Sequence, residues 1–299
     1  MAIPEGQLVT WSHQGASGPS RDTYASVKGV IESGNAPYAM HSPDIFLQGS
    51  YANDTNVARD SDVDVVALID STFAHDAKTM QAEDYSAFER GYPGSAGYTY
   101  SHYRADVSRW LIENYGNGVD PTGKAILVPA NQNRRECDVL PAIEYRYYYK
   151  FKSIQDQHYA SGICFYLADG TQIVNFPKQH ATNCTQKHQH TGEWFKKVVR
   201  VYKNMRNYLV DHGAIPDGLA PSYFIEGMLF NVPDDRFGRS FDDSFVETFN
   251  FLNNADRTEF RCANGIHSLL GSTRVTWRAE NCQAFLSALR TLWNGWANR

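Results

Sequence analysis

The sequence predicts an α+β fold with two lobes, one built on a mixed β-sheet and one helical, and three observations predict it. Between residues 45 and 176 the apolar residues come in short strand-type runs rich in Val, Ile, Phe and Tyr, separated by Gly, Asn and Pro. After Gln186 the spacing changes to that of amphipathic helices. The third is size: 299 residues at 42% hydrophobic content can bury a large core, as one bilobal unit or two packed domains. No internal repeat, low-complexity segment or charge block interrupts it. The expected division is residues 1–185 for the sheet-bearing core with an N-terminal helix, and 186–299 for the helical lobe.

Residues 23–32 read as an amphipathic helix, with Tyr24, Val27 and Ile31 at helical spacing. Strands are expected at 45–47 and 63–69, then a helix at 103–114 that ends before the Gly/Asn/Pro-rich loop 116–121. Further strands fall at 125–129, 137–140, 163–167 and 172–176, the last two joined by a turn whose Asp169-Gly170 is a strong hairpin signal. Residues 145–149 form a tyrosine-rich run that suits either packing or base stacking. Residues 177–190 are polar and read as a loop. Helices are then expected at 193–209, 222–230, 241–252 and 282–293.

The formal charge of −5 and isoelectric point near 6.0 argue against a general nucleic-acid binder, which needs a basic footprint. A local cluster of Lys and Arg would still suffice for small nucleotides. Five scattered cysteines, an odd number without disulfide-framework spacing, point to a reducing compartment. The N-terminus lacks a basic then apolar leader, and no run reaches the ~18 apolar residues of a membrane span. A cytoplasmic protein with no membrane partner is therefore expected.

The chemistry concentrates in Gly49-Ser50 followed by Asp62-Val63-Asp64. A glycine lets the backbone approach a ligand closely, and a serine hydroxyl can hydrogen-bond a phosphate oxygen. In residues 61–69 the period of two puts Asp62 and Asp64 on one strand face and Val63 and Val65 on the other. Same-face carboxylates repel unless a hard cation sits between them, and Mg²⁺ is the usual ion where phosphates share the coordination. A two-metal site needs one more acid, and the candidate is Asp138, which takes the opposite face from Cys137 and Val139. Pro141 favours a sheet edge or strand end for this segment. The alternatives are an exposed strand-end acid for Asp138 and a solvated turn for Asp62 and Asp64, the latter disfavoured by the apolar run that follows. Phosphate turn and metal site together suit nucleotidyl transfer.

This pattern resembles the polymerase-beta-type nucleotidyltransferase superfamily. The segments 194–206 and 220–226, the second reading Ala-Pro-Ser-Tyr-Phe-Ile-Glu, are similar to the helical lobe of the cGAS/DncV-like nucleotidyltransferases (CD-NTases) and, more distantly, of the oligoadenylate synthases. The resemblance runs from about Pro43 to Pro233 over four motifs. It implies that Asp62, Asp64 and Asp138 are the catalytic Mg²⁺ ligands, with Mn²⁺ a substitute, and that Gly49 and Ser50 hold the donor triphosphate. It further implies that Lys203 and Ser222 reach the phosphates and that Tyr223 stacks on a base. Read on spacing alone, Arg200, Lys203 and Arg206 also fit a solvated helix face, and Tyr223 a core aromatic.

The implied activity condenses NTPs (ATP, GTP or a pyrimidine NTP) into a cyclic di- or trinucleotide in a cleft between the lobes. An acceptor ribose hydroxyl attacks the donor α-phosphate, pyrophosphate leaves, and a second round closes the ring. The family implies a bacterial anti-phage (CBASS) signalling role in which the product acts on a separate effector protein. Linear oligoadenylate-like products, or a non-catalytic nucleotide-sensing module, are the alternatives. The cGAS branch carries a cysteine-rich zinc insertion, and its nearest counterpart here is His180, Cys184, His188 and His190 with no Cys-x-x-Cys. Structural zinc is not expected, and a DNA-sensing role loses support with it.

Overall fold

The computed structural model describes residues 2–15, 18–59 and 63–296, so the expectation for Asp62 lies outside the described residues. The chain forms two compact units: one comprises Ser17–Gln48 and Ser61–Phe176, the other Met1–Ala16, Gly49–Asp60 and Pro177–Arg299.

The first unit carries a six-stranded sheet, in the order β1 (Asp44–Leu47), β2 (Val63–Asp76), β4 (Cys137–Phe151), β5 (Gln157–Tyr166) and β6 (Gln172–Asn175), with β3 (Ile126–Val128) also paired to β4. The β2–β4 pair is parallel and the others antiparallel, so the sheet is mixed as expected. A parallel pair requires a crossover, and the chain supplies one containing α4 (Ala82–Gly91) and α5 (Tyr100–Tyr115). With α2 (Gly18–Ile31), α5 packs on the sheet. Val63 and Val65–Ile69 are buried throughout, which is why the start of β2 reads as a continuous apolar run. The expected hairpin forms: Gly170 adopts φ +80° and its N–H donates to Leu167 O at 2.9 Å.

Pro141 corrects one expectation. It lies inside β4, a strand with neighbours on both sides, rather than on an edge strand or at a strand end. Opposite β2, however, β4 pairs with β3 over residues 137–139 and with β5 only from Ile143 onward. Pro141 falls in the gap between those two ladders, where a missing N–H breaks no strand pairing on that side.

The second unit is helical: α1 (Glu5–Ser12), the single turn α3 (Gly49–Ala52), α6 (Pro177–His190), α7 (Phe195–Asp211), α8 (Ser222–Phe230), α9 (Phe241–Asn254) and α10 (Ala279–Gly295). Its core is built around α7, whose Phe195, Val198, Tyr202, Met205 and Leu209 are at most 1% exposed and share one cluster with α8, α9 and α10. Residues 177–190 are a helix, not a loop. Their polar composition hides a buried stripe of His180, Cys184 and Lys187 at helical spacing, opened by a proline at the first position where its missing N–H costs nothing. A boundary at residue 185 would cut this helix, so the structure divides the chain at Pro177 instead. It also groups residues 49–60 with the helices, to which they are tied by the hydrogen bonds described next.

Candidate active site

On the sheet, Asp64 and Asp138 stand directly side by side in the parallel β2–β4 register, between the pairs Val63↔Cys137 and Val65↔Val139. Adjacent strands are about 4.8 Å apart and equivalent register positions face the same way, so the two carboxylates project together while the four flanking residues are buried on the other face. Their field is felt locally: the Cys137 thiol is pushed up to about 12, first by burial and then by the charges of Asp138 and Asp64. Like charges directly opposite are destabilising, and a set of hard carboxylate oxygens suits a small divalent cation. Gln48, which like Asp64 belongs to the sheet unit, donates its N–H to Asp64 O at 3.0 Å and so ties the end of β1 to this strand.

In the helical unit Gly49 adopts φ +70°, the left-handed conformation that favours glycine, and begins the turn α3. Asn53 N–H donates to Gly49 O at 3.2 Å and Thr55 N–H to Ser50 O at 2.9 Å. Lys203 is fully buried, its Nζ donating to Thr55 O at 2.9 Å. Arg200, 8% exposed, donates to the carbonyls of Ser12 and Asp54, and Arg206 donates to Ala220 O at 2.8 Å and to Ser222 Oγ at 3.5 Å. The Arg200–Lys203–Arg206 row is therefore no solvated face. Its three side chains donate to the backbone carbonyls of Ser12, Asp54, Thr55 and Ala220. Ser222 is the first residue of α8, and the Tyr223 ring stacks on His180 at 4.8 Å while its hydroxyl accepts from Asn264 Nδ2 at 3.0 Å.

Three residues that sequence reasoning missed lie beneath the turn. Glu226, 2% exposed, accepts Thr55 Oγ1–H on Oε1, and Asn53 Nδ2 at 2.9 Å and His180 Nε2 at 2.6 Å on Oε2. The signal was present: an acid inside Phe224-Ile225-Glu226-Gly227-Met228-Leu229 has no surface to face. Burial alone would raise its pKa, yet the hydrogen bond and charge of His180, with Lys203 and Thr55, hold it below the ordinary value.

His180 and Cys184 share a corner with Glu226 in which the donor atoms all lie within 4.8 Å of one another. His188 and His190, the other two histidines of the segment compared with the zinc insertion, are not in this group. His190 is largely exposed near Asp234, and His188 Nδ1 accepts from Lys196 N–H at 3.3 Å. His188 is held down to about 4, first by burial and then by Lys196, against the opposing charge of Glu193. A depressed histidine binds fewer protons folded than unfolded, so its contribution to stability is complete above 6.5 and lost as pH falls toward 4. Denaturant unfolding across that window should show stability falling with acid, and His188→Gln should flatten the slope. An unchanged slope would remove His188 from the account.

A cavity of 1370 Å³ in the sheet unit, lined by Ser71, Tyr92, Tyr100, Arg104, Ile143 and Tyr166 among others, is not the carboxylate site. Ile143 lies an odd number of residues along an unbroken register from Asp138, hence on the opposite face.

A mixed-sheet unit and a helical unit in one chain are the architecture of the polymerase-beta-like nucleotidyltransferases. The cGAS/DncV-like nucleotidyltransferase C-terminal helical domain matches residues 182–294. A cyclic UMP-AMP synthase of Rhodothermus marinus is 37% identical over 99% of both chains, and the cyclic nucleotide synthase CdnE01 of Staphylococcus haemolyticus is 31% identical over 99% of this chain and 100% of its own. The solved structure of a Rhodothermus marinus CdnE c-UMP-AMP synthase with Apcpp and Upnpp superposes with a TM-score of 0.88 at 38% identity, covering 98% of this chain and 97% of that one. The chain belongs to the cGAS/DncV-like nucleotidyltransferase family.

Proposed function

We propose that this cyclic-dinucleotide-forming nucleotidyltransferase joins one adenine and one uracil nucleotide, with Mg²⁺ held by Asp62, Asp64 and Asp138. The observation that carries the metal reading is the same-register, same-face pairing of Asp64 with Asp138. The choice of bases rests on the full-length similarity to the Rhodothermus marinus synthase. When bound, the ion would neutralise phosphate charge and ease ionisation of the acceptor ribose hydroxyl. Asp138 is assigned to the acceptor side, where it orients that hydroxyl. Gly49 and Ser50 hold the donor triphosphate, and the positive charge of Lys203 lies behind their turn, on the carbonyl of Thr55. The hydroxyl attacks the α-phosphate in line and pyrophosphate departs, and a second transfer in the opposite sense closes the ring. Ser222 is assigned to the phosphates, and Tyr223 extends its stack with His180 to a base.

The product would act on a separate effector protein in bacterial anti-phage signalling, in the cytoplasm. Five buried, unpaired cysteines are consistent with a reducing compartment, and among the described residues no helix is long and apolar enough to cross a membrane. The test omits one NTP at a time from a four-NTP mixture with Mg²⁺ and follows pyrophosphate release. Omitting ATP or UTP should stop it; loss only on omitting GTP or CTP would reassign the bases.

A further inference from the structure

We propose that Thr55 is the positioning residue of the phosphate turn and that the buried Glu226 is what fixes it, an inference that rests on Gly49 and Ser50 binding the donor phosphates. A turn that must receive phosphates on one side has to be held from the other if it is to be preorganised for them. Thr55 does this with every polar group it has. Its N–H donates to Ser50 O at 2.9 Å, its carbonyl accepts Lys203 Nζ at 2.9 Å, and its hydroxyl donates to Glu226 Oε1. Asn53 repeats the arrangement one step nearer the turn, with N–H on Gly49 O and Nδ2 on Glu226 Oε2 at 2.9 Å. Both residues therefore connect a carbonyl of the Gly49-Ser50 pair to one carboxylate on α8. His180 on α6 completes that carboxylate's shell at 2.6 Å.

Packing alone gives no reason for this choice. A buried ionic cluster is often no more stabilising than apolar side chains of the same volume. What a carboxylate adds is convergence: it collects Asn53, Thr55 and His180 at fixed distances from the backbone of one helix. The turn is thereby set to the geometry of α8. Ser50 and Gly49 touch the ligand in the proposed reading, and Thr55 and Glu226 act through them.

The experiment compares the parent with Thr55→Val, which keeps the shape and loses the donor, and Thr55→Ser, which keeps the donor. Hydrogen exchange of peptides spanning residues 49–59 is followed with and without a non-hydrolysable NTP and Mg²⁺, beside steady-state kinetics. Nucleotide should protect this segment in the parent. Thr55→Val should speed its exchange, with exchange elsewhere unchanged, and raise the NTP KM by about tenfold or more while kcat falls, since misplacement near 1 Å can cost about 10²-fold. Thr55→Ser should bring KM back to within about threefold of the parent, as expected when only one hydrogen bond's geometry is relaxed. In Glu226→Gln the further addition of Thr55→Val should cost less than it does alone, because coupled residues are not additive. If nucleotide protects residues 49–59 equally in parent and Thr55→Val and the kinetics match, the positioning role is overturned while the phosphate-turn reading stands. If nucleotide fails to protect the segment in the parent, the phosphate-turn reading falls and takes this proposal with it. Should Glu226→Gln fail to fold, the Val and Ser variants decide alone.

Discussion

Asp64→Asn should abolish nucleotide turnover in a protein at least as stable as the parent. Asp64 and Asp138 occupy equivalent positions on adjacent parallel strands, so neutralising one removes a like-charge repulsion between them. Stability should stay level or rise slightly. Activity should move the other way, because an amide is a poor ligand for a hard divalent ion that needs anionic oxygen. A fall of at least about 10²-fold, or roughly 2.7 kcal/mol of transition-state stabilisation, is expected in kcat/KM. Asp138→Asn should behave alike. Turnover within about tenfold of the parent would remove the carboxylate pair from the catalytic centre. A large drop in melting temperature would show that these acids serve the fold.

Lys203→Met should destabilise the helical unit strongly, and by an amount that salt does not change. The ammonium is fully buried, donates to Thr55 O and helps to keep Glu226 ionised. Removing one member of a buried charge cluster costs on the order of 3–5 kcal/mol because its partner is left without compensation. That corresponds to a melting decrease of roughly 5–15 °C in a protein of this size. Screening by salt reaches exposed pairs far more than buried ones, so the decrease should be similar at low and high ionic strength. Nucleotide affinity should fall as well, through the loosened Thr55 carbonyl. A variant that melts with the parent but binds nucleotide weakly would place the amine on the ligand instead of on Thr55.

The sheet was legible in the sequence because its signals are local. Val63-Asp64-Val65 alternates until both faces of β2 become buried, Asp169-Gly170 specifies the hairpin, and Cys137-Asp138-Val139 shows an acid opposed to two apolar neighbours. The side-by-side placement of Asp64 and Asp138 could be anticipated only through a family resemblance. Strand register is set by pairing across a long crossover, which no window of sequence contains. The helix Pro177–His190 was hidden for a related reason. Its buried face is His180, Cys184 and Lys187, and polar residues become interior ones only when partners such as Glu226 and Asp234 arrive from elsewhere in the chain. Arg200 and Lys203 show the same effect. At helical spacing they match a solvated stripe, and what buries them is the carbonyls of Ser12, Asp54 and Thr55, more than 140 residues away in sequence. The Thr55–Glu226 pair, separated by 171 residues, lay beyond any local pattern.

The most direct measurement of the central claim is the mass and phosphatase sensitivity of the product formed from ATP and UTP with Mg²⁺ by the purified protein. The account predicts one dominant product with the mass of an AMP and a UMP joined in a ring. It should resist phosphatase, since ring closure leaves no terminal phosphate, and Asp64→Asn should not form it. Linear oligonucleotides that phosphatase trims, formed across all NTP mixtures, would contradict the account.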